Sequence, residues 1–272
     1  MTLKRNHFSV RAITNHQDII KPIKSFLEKH KISRSTRIWE MLSLFEEQIS
    51  KNWDNLPKTL IYHEILEIYE IINTLLDTHD ERIIESITKD HVDELSGKNK
   101  KGRNTQFELF IASKYIRAGY NVKFGEPDLF FYHLGNRYNI ACKRPQSAKK
   151  ILNRIKEASK QISLHDGFGI IAIDLTPTFI RDYKWNDNLE TIDQSAESLI
   201  WHNFLDSKRK KINELVGNHV SIIHTYGGLN HKVNSSYAYS LFDYALEIKS
   251  NRTPNDYLYE IISGVQRVNP IC

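Results

Sequence analysis

Two observations predict an α/β protein: a mixed central sheet flanked by helices, preceded by an all-helical N-terminal region. Through residue 96, apolar side chains recur at three- and four-residue spacing. After a basic, glycine-flanked stretch the pattern becomes mixed, in the order helix, three strands, helix, strand. The predicted organisation is a helical domain over 1–96, a basic linker over 97–104 and an α/β domain over 105–272. At 272 residues the chain can bury a sizeable core as one domain or two.

In the first region, "QDIIKPIKSFLEKHK" (17–31), "TRIWEMLSLFEEQIS" (36–50) and "KTLIYHEILEIYEIINTLLDTH" (58–79) each read as a helix. Ser35 and Thr36 supply capping chemistry to the second, Asn55 to Pro57 break the chain before the third, and a fourth helix is predicted near 80–95. The third is broken by His63, Glu64, Glu67 and Glu70 in a helical rhythm. His63 lies in "HEILE", which lacks the second histidine of a zinc-protease helix, so this region reads as structural.

The linker "SGKNKKGRN" carries Lys98, Lys100, Lys101 and Arg103 with no acid between them. It is either a solvated connection or a segment that also touches phosphates. Beyond it, "TQFELFIASKYIRAGY" (105–120) is an amphipathic helix. "NVKF" and "DLFFYH" are short strands, "LGNR" is a hairpin turn and "YNIAC" is the returning strand. "SAKKILNRIKEASKQIS" (147–163) is a second helix, and the wholly apolar "GFGIIAIDL" (167–175) reads as a strand covered on both faces. "TYGGLN" (225–230) reads as a turn rather than a phosphate cradle.

Composition narrows the function classes. No apolar run reaches bilayer length, and the charged N-terminus is not followed by the apolar segment of a secretory signal, so a cytoplasmic protein is expected. Two cysteines make neither a disulfide framework nor a zinc set. A net charge of +5 leans weakly toward a polyanionic partner. Walker and dinucleotide glycine patterns are absent.

The informative stretch is "GEPDLFFYHLGNRYNIACKRP", residues 125–145. Asp128 opens one strand of a hairpin and Lys143 ends the other; neighbouring antiparallel strands lie about 5 Å apart, so the two can meet. Glu108 sits at the edge of the apolar face of the preceding helix, where it can point along the sheet. Two carboxylates are the hard oxygen donors that a divalent cation takes, and a nearby lysine suits phosphoryl transfer.

This order and spacing resemble the PD-(D/E)XK, or restriction-endonuclease-like, nuclease superfamily, over roughly 104–175. The resemblance implies a Mg²⁺ site (Mn²⁺ as a substitute) held by Asp128 and Glu108, with the main-chain carbonyl of Cys142 as a further donor. It also implies a water-activating role for Lys143 and a helix glutamine at Gln161. The family's second acid falls on Ala141, which cannot ligate through its side chain. Three readings of Ala141 stand: a relocated acid, with Glu108 or Glu126 filling the gap; a replaced acid that inactivates a parent enzyme; or a natural loss of catalysis with binding retained.

Glu247-Ile248-Lys249 is a literal ExK, but Asp243 precedes it on the same strand with no room for a hairpin. Arg144, Lys149, Lys150, Arg154, Lys101 and Arg103 are expected to contact a nucleic-acid backbone, and Lys156, Lys160 and "LDSKRKKINE" (205–214) extend the basic surface. Cys142 and His224 read as structural. The expected function is DNA phosphodiester hydrolysis, in restriction or anti-phage defence. The rivals are an inactive nucleic-acid-binding module, RNA included, and a helical interaction protein using its N-terminal helices to pair with itself or a partner.

Overall fold

The computed structural model describes residues 4–9, 16–51, 59–90, 101–183, 205, 207–233, 236–248 and 256–267. The α/β class is as expected: helices pack on both faces of a seven-stranded mixed sheet. The strands are β1 (Lys4–Ser9), β2 (Lys123–Phe124), β3 (Leu129–His133), β4 (Asn136–Lys143), β5 (Phe168–Asp174), β6 (Val220–Val233) and β7 (Ser236–Glu247), in spatial order β1-β7-β6-β5-β4-β3-β2. β4, β5 and β6 are parallel neighbours, and the other pairings are antiparallel.

One correction concerns the N-terminus. It is not all helical, because β1 lies at residues 4–9 and pairs along its length with β7. A second concerns "TYGGLN", which is not a turn but the interior of β6, hydrogen-bonded across to β7.

α1 (Gln17–Lys29), α2 (Arg37–Lys51), α3 (Thr59–Leu75), α4 (Asp80–Thr88) and α5 (Lys101–Arg117) lie on one face together with α9 (Asp256–Arg267). Their apolar side chains join Tyr138, Ile140, Cys142, Ile170 and Ala172 of the sheet in one continuous cluster. α6 (Ala148–Ile162), α7 (Thr176–Tyr183) and α8 (207–216) cover the other face, on Ala141, Ile171, Ile173 and Ile223. β5 shows why its sequence is apolar throughout. Ile170 and Ala172 go to one cluster while Ile171 and Ile173 go to the other, the period-two alternation of a strand covered twice. Of the expected linker, residues 97–100 lie outside the described residues, and Lys101 to Asn104 form the first turn of α5.

Two features fix the hairpin that carries the site. His133 pairs with Asn136, leaving Leu134 and Gly135 as a two-residue turn with φ of 49° and 77°. Positive φ at both central positions is the conformation that matches the twist of a tight hairpin. Behind it, a Cβ on Gly167 would come within 2.2 Å of the Arg137 carbonyl oxygen, so only glycine lets the α6–β5 loop lie against β4.

Candidate active site

α5 and α6 approach the end of β4 from opposite faces of the sheet. Between them is a cleft of about 500 Å³ lined by Glu108, Asp128, Cys142, Lys143, Arg154 and Gln161, among others. This is the carboxyl end of two parallel strands, the place where open α/β sheets leave a crevice. The structure therefore brings Glu108, Asp128, Lys143 and Gln161 to one opening, although they come from four elements.

The register explains the meeting. Leu129 faces Ile140, so Asp128, one residue before β3, stands beside the Ala141–Cys142 segment. Its Oδ2 accepts the Cys142 backbone N–H at 2.7 Å and lies 3.4 Å from Lys143 Nζ. Lys143 also donates to the Cys142 carbonyl at 3.0 Å, which ties the ammonium to the carbonyl counted as a possible donor. Glu108 reaches the cleft from α5, and Arg82 of α4 approaches its Oε2 at 3.2 Å.

Both carboxyls are held above their ordinary range. Burial raises Glu108 most, and the charge of Asp128 adds to it, against Arg82 and Lys143; it is pushed up to about 7. Burial also raises Asp128, more than Lys143 and the Cys142 N–H lower it. Two acids that destabilise one another's charged form in a recess are a place where an added cation is favoured. Gln161 Oε1 is buried there with no hydrogen-bond partner among the described residues.

Ala141 is fully buried, packed with Ile151, Ile155 and Ala158 of α6. Glu126 is exposed, and its charge contributes to raising Asp128. Lys149, Lys150, Arg154, Lys156 and Lys160 are exposed on α6, with Arg154 paired to Glu157 at 2.5 Å. Lys101 is exposed and lies 2.9 Å from Glu85. Lys98, Lys100 and Lys249 lie outside the described residues.

Arg144 and Arg103 correct the expected phosphate contacts, because their guanidinium groups are turned inward. Each side chain is 1% exposed: Arg144 Nε lies 2.8 Å from Asp174, and Arg103 Nε donates to Glu64 at 2.6 Å. They belong to a sealed polar cluster behind the cleft, with Arg37 on Glu64 and Gln106 on Glu67 at 2.6 Å. His63 Nε2 sits 3.2 Å from Glu67 and 3.7 Å from Asp174.

His63, Glu67 and Asp174 have ligand atoms within 4.8 Å of one another, the residue types of a metal centre. Their charge is met from within the chain. Burial alone would lower the His63 imidazolium, but Glu67 and Asp174 outweigh it and raise it to about 10. Burial would raise Asp174, yet Arg144 and His63 hold it at about 2. A second sealed group links Lys114, Asp243, His224 and Tyr226: Lys114 Nζ is 3.2 Å from Asp243, His224 bonds Asp243, and Tyr226 Oη meets His224 Nδ1 at 2.7 Å. His224 is thus structural, as read, and Asp243 of the literal ExK segment is an internal ion-pair partner.

Sequence reasoning missed Arg82 and the sealed cluster. The signal for the latter was present. His63, Glu64, Glu67 and Glu70 recur at one helical stripe of an otherwise apolar α3, which calls for buried cationic partners. No model of a known protein family matches this chain, and no curated protein matches it. Among the described residues, no helix is long and apolar enough to cross a membrane.

Proposed function

We propose that this protein is a divalent-metal-dependent nuclease that hydrolyses phosphodiester bonds in DNA. The observation that carries the reading is the convergence of Glu108, Asp128 and Lys143 on one open cleft, which Gln161 also lines. The donor set fits a hard cation: two carboxylates with raised pKa and the Cys142 carbonyl are all oxygen ligands. A bound Mg²⁺ or Mn²⁺ would supply Lewis-acid polarisation of a phosphate and a more acidic water.

The chain's own residues supply the rest. Glu108 and Asp128 hold negative charge at the bottom of the cleft and fix where a cation sits. Lys143, tethered beside Asp128, offers N–H donors where charge builds on the attacked phosphate. Gln161, on the α6 wall, brings an amide side chain to the same opening. Arg154 and Lys160, on the rim of the cleft, give the phosphate backbone a positive border. Of the three readings of Ala141, the relocated acid fits best, because Glu108 already brings a second carboxylate to Asp128. A role in defence against foreign DNA goes with this reading by analogy of fold alone.

The test is cleavage of single-stranded and duplex DNA with Mg²⁺ or Mn²⁺ by the unaltered chain, Asp128→Asn, Glu108→Gln and Ala141→Glu. Cleavage by the unaltered chain and loss of at least about a hundredfold in each of the first two variants is expected. Cleavage appearing only with Ala141→Glu would instead mark Ala141 as an inactivating replacement. DNA binding without cleavage by any of them would favour the binding module.

A further inference from the structure

The β2–β3 edge of the sheet lies next to the cleft, and among the described residues one of its faces is only partly covered. Leu129 and Phe131 of β3 enter the core on the α5 side. By alternation, Asp128, Phe130 and Tyr132 share the opposite face, spaced about 7 Å apart along the strand. Phe130 is half-buried and Tyr132 is 57% exposed, its ring standing edge-on to Phe130 at 6.1 Å. Arg137, opposite Tyr132 in the register, lays its guanidinium 4.2 Å from the Phe130 ring centroid.

Exposed apolar side chains gather around this strip. Among the described residues four large ones are exposed, and three of them, Tyr132, Leu134 and Leu164, belong to the hairpin and the adjoining α6–β5 loop. Leu164 is 76% exposed and lines the cleft itself. The loop that carries it is pinned beside β4, where Asn139 Nδ2 donates to the Asp166 carbonyl at 2.7 Å.

Charge on the strip is positive where it is not catalytic. Arg137 donates to the backbone carbonyl of Glu126 at 2.9 Å, which leaves its charge unneutralised by any described carboxylate. Lys123 is exposed on the same face, opposite Phe130. Glu126, Glu157 and Asp166 are the acids nearby, Glu157 paired with Arg154 and Asp166 exposed on the loop that carries Leu164.

We infer that this strip binds the unpaired bases of a single nucleic-acid strand and leads that strand into the cleft, a proposal that rests on the nuclease reading for what happens there. A duplex offers phosphates and groove edges, and its base faces are already stacked on one another. An exposed tyrosine, a leucine at the cleft and an arginine plane over an aromatic ring gain only from bases that are splayed out. A cationic border tracking the backbone beside such a platform is how single strands are held without sequence preference.

Binding is measured by fluorescence anisotropy in EDTA, with the full chain and a labelled single-stranded DNA 20-mer, its RNA counterpart and the DNA duplex of the same sequence. One or both single strands are expected to bind at least about tenfold more tightly than the duplex, the two arms separating DNA from RNA. Tyr132→Ala and Leu164→Ala, both on the surface, together weaken single-strand binding about tenfold and leave duplex binding unchanged, while Tyr132→Phe retains it. Equal affinity for duplex and single strands, or an equal loss for both in the double variant, overturns the proposal. Because EDTA removes cleavage from the measurement, a single-strand preference in a chain that cuts nothing ends the nuclease reading alone. Cleavage confined to duplex without that preference ends this one alone.

Discussion

The open cleft and the sealed cluster behind it are built from the same residue types, a few ångströms of chain apart, and behave oppositely. Lys143 and Arg144 are consecutive and both border the cleft, yet the Lys143 side chain is 13% exposed beside Asp128 while the Arg144 side chain is 1% exposed against Asp174. In the sealed cluster three arginines meet Glu64, Glu67 and Asp174: at Glu64 burial is outweighed by Arg103, Arg37 and Arg144, and Asp174 lies at about 2. In the cleft, one lysine at 3.4 Å and one arginine at 3.2 Å do not offset burial, and both acids rise. The difference separates a cluster whose acids are matched by buried cations from one whose acids are left raised by burial.

The largest effect that would sharpen this contrast is on stability. Glu64→Gln leaves Arg37 and Arg103 without their shared carboxylate in a site closed to water, and is expected to cost about 3–5 kcal/mol. Asp128→Asn removes a carboxyl whose burial already disfavours its charge, so the metal-free chain is expected to lose less than about 1 kcal/mol. Urea denaturation of both variants in EDTA measures the pair. A comparable loss in the two would break the distinction.

The next effect is on pH dependence. Glu108 has a folded pKa of about 7, above the 4.5 of an ordinary glutamate. Its proton is therefore bound more tightly by the folded chain, and its contribution is complete below pH 4.5 and lost as pH rises through 7. The metal-free protein should lose roughly 1–3 kcal/mol between pH 5 and pH 8 that a Glu108→Gln variant does not lose. Thermal melts across that window in EDTA check it. On the proposed nuclease reading, Mg²⁺ would bind the ionised form, so with Mg²⁺ the sign should reverse and cleavage should rise through the same range. His63 adds a slope of its own in the upper part of the window: raised from 6.5 to about 10, it keeps its proton in the folded chain while the unfolded chain releases it above pH 6.5, a loss that the Glu108→Gln variant shares.

Much of the fold was legible because its periodicities are local. α5, the β3–β4 hairpin, α6 and β5 each announce themselves in a dozen residues, and a two-residue turn then fixes which side chains of the hairpin face one another. That is why Asp128 and Lys143 could be paired from sequence. β1 was not legible: "KRNHFS" is polar, and it is a strand only because β7 offers it a partner more than 200 residues away. The same limit hid the burial of Arg103 and Arg144. A cation beside Pro145 or in a lysine-rich segment reads as solvated, and what draws it inward is a distant acid: Glu64 on α3, 39 residues earlier, for Arg103, and Asp174 at the end of β5 for Arg144. Local sequence carries the charge but not the distant partner.

Arg82 tests the contrast at its smallest scale. It is a cation from the N-terminal helices that pairs with an acid of the cleft, 3.2 Å from Glu108 with its side chain 41% exposed. An ion pair this open contributes about 0.2–1 kcal/mol, so Arg82→Ala should barely move the unfolding midpoint. It should move the titration instead. Arg82 lowers Glu108 against burial, so its removal is expected to shift the pH midpoint of the Glu108-dependent transition upward, as read from the melts. It should also weaken Mg²⁺ binding at neutral pH, measured by calorimetry, because more of Glu108 is then protonated. If Arg82→Ala instead tightens Mg²⁺, the guanidinium is occupying the cation's place, and the cleft resembles the sealed cluster more closely than its exposure implies.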